Sequence, residues 1–199
     1  MPLLQIDFSG FWISGSGRGQ GFAVDEEGIT DEDGYPYLPG RHIKGVLRDA
    51  ARKLLDVRDD LGPSVIDALF GVGTRTSADT SRAGLGLLSF RDAKLSDSFK
   101  RKLKESGGHP SIDLFRTIAS TAMTESGVAA TGSLRVLRVA VPLILTAPVE
   151  FDAARAALLL DRPRLSDEWR DIVASSLVLV TAFGGGRNKG FGRCFAELR

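Results

Sequence analysis

The 199-residue sequence has a single cysteine, Cys194, and only two histidines, His42 and His109. One thiol excludes an intrachain disulfide and is compatible with a reducing cytoplasm. One Cys and two His are also too few for a structural zinc site of the usual kind. No apolar run approaches the roughly 20 residues that span a bilayer. The N-terminal residues 1–7 lack the basic segment and long apolar stretch of a signal peptide. A cytoplasmic protein with no membrane partner is the expectation. An excess of one charge is missing too: 26 Lys and Arg stand against 25 Asp and Glu, a net charge of +1. A general polycation is excluded, so any nucleic-acid site must come from local segregation of charge. The P-loop pattern G-x-x-x-x-G-K-[ST] and the EF-hand pattern are both absent. There is no internal repeat.

What is present fits an ordinary globular chain, at 43% hydrophobic and 26% charged residues. Its length suits one domain, residues 1–199. Alternation predicts a strand over residues 3–13, bent at Gly10. Ile43, Val46, Leu47, Ala50 and Leu54 form a helical stripe, predicting a helix from Arg41 to about Val57. A short helix follows at 64–70 and a strand at 85–90. Residues 96–106 are strongly charged. Residues 111–132 have no clean period and read as an extended insertion. The run 134–151 is β-prone, with Pro142 marking an edge or bulge. A second long helix is predicted at 166–182, capped by Ser166. The order is that of an α+β protein, a ferredoxin-like or RRM-like βαββαβ core with long loop insertions.

Charge does segregate locally. Residues 183–193 hold five glycines with Arg187, Lys189 and Arg193. Gly184, Gly185 and Gly186 would let backbone N–H groups approach a phosphate, and the cations would add charge. A glycine-rich helix end and hairpin turn is the competing reading. Arg41, Lys44 and Arg48 fall in the first turns of the first helix, where free N–H groups and the dipole favour an anion. A solvated cationic helix face fits the same spacing. Gly45 inside that helix costs roughly 1 kcal/mol against Ala, which close approach of a backbone or ligand would explain. Six carboxylates crowd residues 25–33, among them Asp25 and Asp31. They suit either a divalent cation or solvent. Arg18 lies in a Gly/Ser loop at 14–21. Phe11, Trp12, Phe183 and Phe191 could stack bases but fit a core equally well. Cys194 reads as core.

Taken together these segments resemble the RAMP superfamily of CRISPR-associated proteins, and more narrowly the Cas-seven-type backbone subunits of type III effector complexes. The resemblance rests on four features in order: the Gly/Ser loop after the first strand, Pro36-Tyr37-Leu38-Pro39-Gly40-Arg41-His42-Ile43-Lys44-Gly45-Val46-Leu47-Arg48, the pair Leu69-Phe70-Gly71 and Leu88-Ser89-Phe90-Arg91-Asp92-Ala93, and the terminal glycine loop. Arg41-His42 replace two small hydroxyl residues of the family pattern. The resemblance implies a subunit that stacks with other copies of itself and other effector subunits along a CRISPR guide RNA. It implies a thumb at about residues 107–135, including Arg116, that wedges into the guide–target duplex. The RNA-binding residues it implies are Arg18, Arg41, His42, Lys44, Arg48, Arg116, the three glycines 184–186, Arg187, Lys189 and Arg193. In target-cleaving members an acidic residue before the Pro-Gly segment cuts the target RNA with a divalent metal, Mg or Mn. Asp25 takes that position and Asp31 is the second choice, with Asp25 holding the metal. A binding-only or capping subunit is one alternative. A CRISPR-RNA processing nuclease is another, set against by the lack of a histidine near the glycine loop.

Overall fold

A computed structural model describes residues 1–15, 26–72, 84–121, 124–159 and 165–199. In chain order its elements are β1 (Leu3–Phe8), β2 (Glu26–Glu27), α1 (Gly40–Leu54), α2 (Pro63–Phe70), β3 (Leu88–Phe90), α3 (Asp97–Glu105), α4 (Pro110–Asp113), β4 (Phe115–Ser120), β5 (Arg135–Ala140), β6 (Ile144–Phe151), α5 (Ala153–Ala156), α6 (Leu165–Val178) and β7 (Cys194–Leu198). A short 3-10 turn at Arg187–Lys189 precedes β7.

The period-two pattern of β1 turns Leu4, Ile6 and Phe8 into the core and leaves Leu3, Gln5 and Asp7 on the other face. β1 pairs antiparallel with β6 on one side and β7 on the other, and β3 pairs antiparallel with β6. The strand order is therefore β3-β6-β1-β7. The units β1-α1-β3 and β6-α6-β7 interleave, each helix connecting two strands separated by one strand of the other unit. That is the ferredoxin-like βαββαβ arrangement expected from the element order. α1 and α6 pack against each other, and Ile43 and Leu47 of α1 and Ile172 and Val173 of α6 are buried in one core with the inward residues of β1. Burying each such side chain is worth about 1.5–3 kcal/mol.

A second sheet, ordered β2-β5-β4, stands beside the first. It corrects one expectation. The β-prone run 134–151 is two strands in different sheets, broken at 141–143, where Pro142 has no N–H to give a ladder. Within the segment read as an extended insertion, β4 pairs with β5 from Phe115↔Ala140 to Ser120↔Arg135. The first strand also ends at Phe8 and does not run to residue 13. After Gly10 the chain crosses to the second sheet, where Trp12 bridges Ala140, gives its indole N–H to the Val141 carbonyl at 2.9 Å and stacks on Phe8 at 4.5 Å.

Two helix starts also differ from expectation. α6 begins at Leu165, so Ser166 lies in its first turn and is not its cap. α3 falls in the charged stretch where no helix was expected. It buries none of its residues, and its start is set by Ser96, whose hydroxyl accepts from the Phe99 N–H. Without an apolar stripe the periodicity has nothing to report. Residues 74–83, a polar stretch of small residues that reads as a loop in the sequence, lie outside the described residues.

Candidate nucleic-acid interface

The start of α1 is built by backbone contact with β3. Pro39 is the cap residue in extended conformation, and its carbonyl accepts from the His42 and Ile43 N–H groups. The Gly40 N–H donates to Asp92 Oδ1 at 2.9 Å. A Cβ on Gly40 would stand 1.9 Å from the Phe90 carbonyl oxygen, so only glycine fits. Leu38 and Ala93 pair in both directions alongside. The Pro-Gly and Asp-Ala segments, with Gly40 and Asp92 52 residues apart in the sequence, are thus one contact. Asp92 also answers part of the helix dipole, so an anion there competes with a carboxylate already in place.

The cations of α1 separate by helical position. Arg41 is exposed. Lys44 is half-buried against β3 and gives its ammonium to the Leu88 carbonyl at 2.7 Å. Burial lowers its pKa, and the nearby charges of Arg48 and Arg155 lower it further. Arg48 has a buried Nε with no hydrogen-bond partner among the described residues. A buried guanidinium nitrogen without an acceptor is costly and is the kind of group a ligand satisfies. Gly45 lies between them. Nothing among the described residues comes within 4 Å of a Cβ placed there.

On the other side of the helix His42 reaches the glycine loop. Its Nε2 accepts from the Gly184 N–H at 2.9 Å, and its ring meets Phe183 edge-on at 6.5 Å. Burial pushes its pKa below the ordinary value and Arg187 adds to the effect. The ring is therefore neutral near pH 7, with Nε2 the acceptor and the proton on Nδ1. The objection that no histidine stands near the loop does not hold.

The loop itself folds inward. The Gly185 N–H donates to the Ile13 carbonyl at 2.7 Å and the Gly192 N–H to the Phe11 carbonyl at 2.8 Å. Gly192 has φ +77°, and a Cβ there would meet the Phe183 carbonyl at 1.8 Å. Most of the N–H groups expected to cradle a phosphate are thus spent fastening the loop to residues 11–13 and to α1. Among the described residues no hydrogen bond takes up the N–H groups of Gly186, Arg187 or Asn188. Arg187, Lys189 and Arg193 are exposed and enter none of the ion pairs among the described residues. Arg187 also lines a cleft of about 230 Å³ against Val46, Asp49 and Lys53 of α1.

The remaining candidates have other duties or lie elsewhere. Arg18 and Asp25 fall outside the described residues. Asp31 Oδ1 accepts from the Asp33 and Tyr35 N–H groups, and Oδ2 pairs with Lys100 at 3.0 Å. Burial alone would raise the pKa of Asp31, but Lys100 and the two N–H donors hold it below the usual value. Lys100 also lies over the Tyr35 ring at 4.5 Å. Arg116 directs one guanidinium nitrogen to the carbonyls of Ile112, Asp113 and Phe115, closing the end of α4. Trp12 and Phe183 are core, whereas Phe11 is 40% exposed. Burial pushes the Cys194 thiol up to about 11, which removes it as a nucleophile at neutral pH.

Two features had no sequence signal. Arg155 stands alone in its segment, yet it shares a cleft of about 430 Å³ with Lys44. The sheet face away from the helices carries Asp7 and Glu197 beside Gln5, Thr146 and Phe195. Asp7 disfavours phosphate on that face, while Glu197 is paired with Arg199 and Lys102 lines the same hollow as Asp7. Among the described residues no group of three His, Cys, Asp or Glu is placed to hold a metal ion, and no helix is long and apolar enough to cross a membrane.

The fold has counterparts of known structure. One is a chain of the cryo-EM structure of the type III-B Cmr-beta bound to cognate target RNA, with TM-score 0.63, 12% identity, and coverage of 99% of this chain and 96% of that one. Another is a chain of the type III-B Cmr-beta apo state, with TM-score 0.60, 15% identity, and coverage of 100% and 96%. No curated protein matches the sequence. The family model of the RAMP superfamily matches residues 9–195. With that match spanning nearly the whole sequence and the family's Pro-Gly and Asp-Ala segments in mutual contact, the chain belongs to the RAMP superfamily.

Proposed function

We propose that this chain binds guide RNA as a backbone subunit of a type III CRISPR effector complex, along the surface formed by α1 and the glycine loop. The observation that carries this reading is the His42–Gly184 bond, which locks the cationic loop to the cationic helix. Side chains, more than loop N–H groups, supply the phosphate contacts. Arg187, Lys189 and Arg193 flank one side, and Arg41, Lys44 and Arg48 the other. Other copies of the chain and other effector subunits are its partners within the same reading, and target RNA pairs with the guide. The structural likeness to Cmr-beta chains, one of them from a complex bound to target RNA, supports the reading.

Cleavage of target RNA with a divalent cation belongs to the proposal only through Asp25. Asp31 does not fit that role, since both of its oxygens are committed to Lys100 and to backbone donors. The test is an assembled complex carrying Asp25→Ala or Asp31→Ala, given complementary RNA and Mg. Loss of cutting in the first with RNA binding intact supports the assignment. Cutting that persists in the first and stops in the second contradicts it.

The contact of His42 with the glycine loop gives the processing-nuclease reading a specific observation in its favour. Its Nε2 is occupied by Gly184, which leaves Nδ1–H as a donor and argues for positioning over proton abstraction. Metal-free cleavage of repeat RNA by the lone chain, abolished in His42→Ala, would establish that second reading.

A further inference from the structure

β7 closes one side of the first sheet, and its outer edge is open. In the order β3-β6-β1-β7 the two edge strands are β3 and β7. β3 is blunted by its length of three residues. β7 has five and carries neither proline nor lysine. Its pairing with β1 is antiparallel, so successive residues alternate between bonding to β1 and facing outward. Arg199 exchanges both bonds with Leu3, which fixes the phase. Glu197 and Phe195 therefore bond inward, while Cys194, Ala196 and Leu198 turn their N–H and C=O groups to the open side. There the Cys194 N–H donates to the Thr181 carbonyl at 3.1 Å. Among the described residues nothing pairs with the outward groups of Ala196 and Leu198.

A groove of about 830 Å³ runs beside this edge, walled by Ala174, Leu177 and Val178 of α6. Val178 is 83% exposed, and Phe195, on the far face of β7, is 67% exposed. The chain itself begins to fill the groove. Ala182 bridges Arg193 in antiparallel sense, and Thr181 meets Cys194. The chain before Thr181 belongs to the end of α6, so the rest of the edge stays uncovered. Arg187 and Arg193 line the groove at the Thr181 end and enter none of the ion pairs among the described residues. Glu197, the carboxylate that lines it, is held by Arg199. The groove is thus apolar along the helix and cationic at one end.

We propose that the β7 edge docks an extended segment of a partner protein, added as a strand antiparallel to β7. Its main chain bonds to Ala196 and Leu198 beyond the rung made by Thr181. Its alternate side chains are apolar and lie against Leu177 and Val178. Its C-terminal end is acidic and meets Arg187 and Arg193. An RNA strand does not suit the groove, because alternating N–H and C=O groups match a peptide backbone and the α6 wall is apolar. Neither edge of the second sheet fits from another copy of the chain. β4 carries Arg116 and no carboxylate, and β2 is two glutamates with no apolar residue. The docking does not depend on RNA binding, although Arg187 and Arg193 border both surfaces.

The test uses the full chain and a labelled synthetic peptide, Val-Thr-Val-Thr-Val-Glu-Glu, with Val-Thr-Val-Thr-Val-Lys-Lys as its control. Fluorescence anisotropy is expected to show the acidic peptide bound about tenfold more tightly than the basic one. Val178→Asp places a charge on the groove wall at an exposed position. It is expected to weaken the acidic peptide about tenfold while a single-stranded RNA oligonucleotide binds as to the wild type. Bound peptide should slow amide hydrogen exchange at Ala196 and Leu198, which a ligand held by side chains alone would leave unchanged. Ala196→Pro removes an outward N–H and no bond to β1, and should weaken the peptide as well.

Equal binding of the two peptides overturns the docking, as does exchange at Ala196 and Leu198 that the peptide fails to slow. If Val178→Asp loses RNA and keeps the peptide, the groove belongs to the RNA surface and the docking is wrong. If light scattering shows a wild-type dimer that Val178→Asp dissociates, a second copy is the occupant and the docking is again wrong.

Discussion

Gly40→Ala is the sharpest stability prediction the structure makes. The added Cβ would stand 1.9 Å from the Phe90 carbonyl oxygen and 2.7 Å from its carbon, both backbone atoms. Neither can rotate away, so α1 must shift off β3 by more than an ångström. Overpacking of this kind costs about 1–3 kcal/mol. The shift also strains the Gly40 N–H to Asp92 hydrogen bond, a cap interaction worth about 1 kcal/mol. Alanine returns little helix propensity at a first helical position. A net loss of about 2–4 kcal/mol corresponds to a fall in melting temperature of roughly 5–15 °C for a chain this size. Gly45→Ala, five residues along the same helix, meets nothing among the described residues and should move the melting temperature upward. Thermal denaturation followed by circular dichroism reads both. The reasoning fails if the two substitutions shift the melting temperature in the same direction.

The other predictions concern charge and protonation. Asp31→Asn keeps an acceptor for the Tyr35 N–H but leaves Lys100 unpaired, and should cost about 1–3 kcal/mol in urea denaturation at pH 7. Because the folded pKa of Asp31 is lowered, its contribution is present above its unfolded pKa, near 3.9, and is lost as pH falls through the folded value. The difference between wild type and Asp31→Asn should therefore shrink in strong acid, and a constant difference would refute the account. His42 works in the opposite sense to a paired histidine. Its folded pKa is lowered, so below pH 6.5 the unfolded chain binds the proton that the folded chain resists, and stability falls from there down to the folded pKa. His42→Gln, which keeps an acceptor for Gly184, should flatten the melting temperature between pH 7 and pH 5. An unchanged pH profile in that variant would rule out His42 as the titrating group.

The core was legible in the sequence wherever one face of an element is buried. β1, α1 and α6 carry unbroken apolar stripes, and their order already gave the βαββαβ plan. The second sheet was not legible, because β5 and β6 read as one run and only Pro142 marks the corner between them. α3 was hidden for the opposite reason, having no buried residue to set a period. At the site, the clustering of Arg41, Lys44, Arg48 and the glycine loop was visible as local charge. Their joining into one surface depends on the contact of Gly184 with His42, 142 residues apart in sequence, which no local pattern records. Arg155 comes to the cleft of Lys44 through the antiparallel pairing of β6 with β3, again a long-range contact.

The account turns on RNA lying across α1 and the glycine loop, away from the open sheet face with Asp7 and Glu197. Photo-cross-linking of the chain to single-stranded RNA containing 4-thiouridine, followed by mass spectrometry of the peptides, tests this directly. Cross-links are predicted in peptides covering residues 39–48 and 183–193. Cross-links confined to the open sheet face, around Ile144 and Phe195, would contradict it.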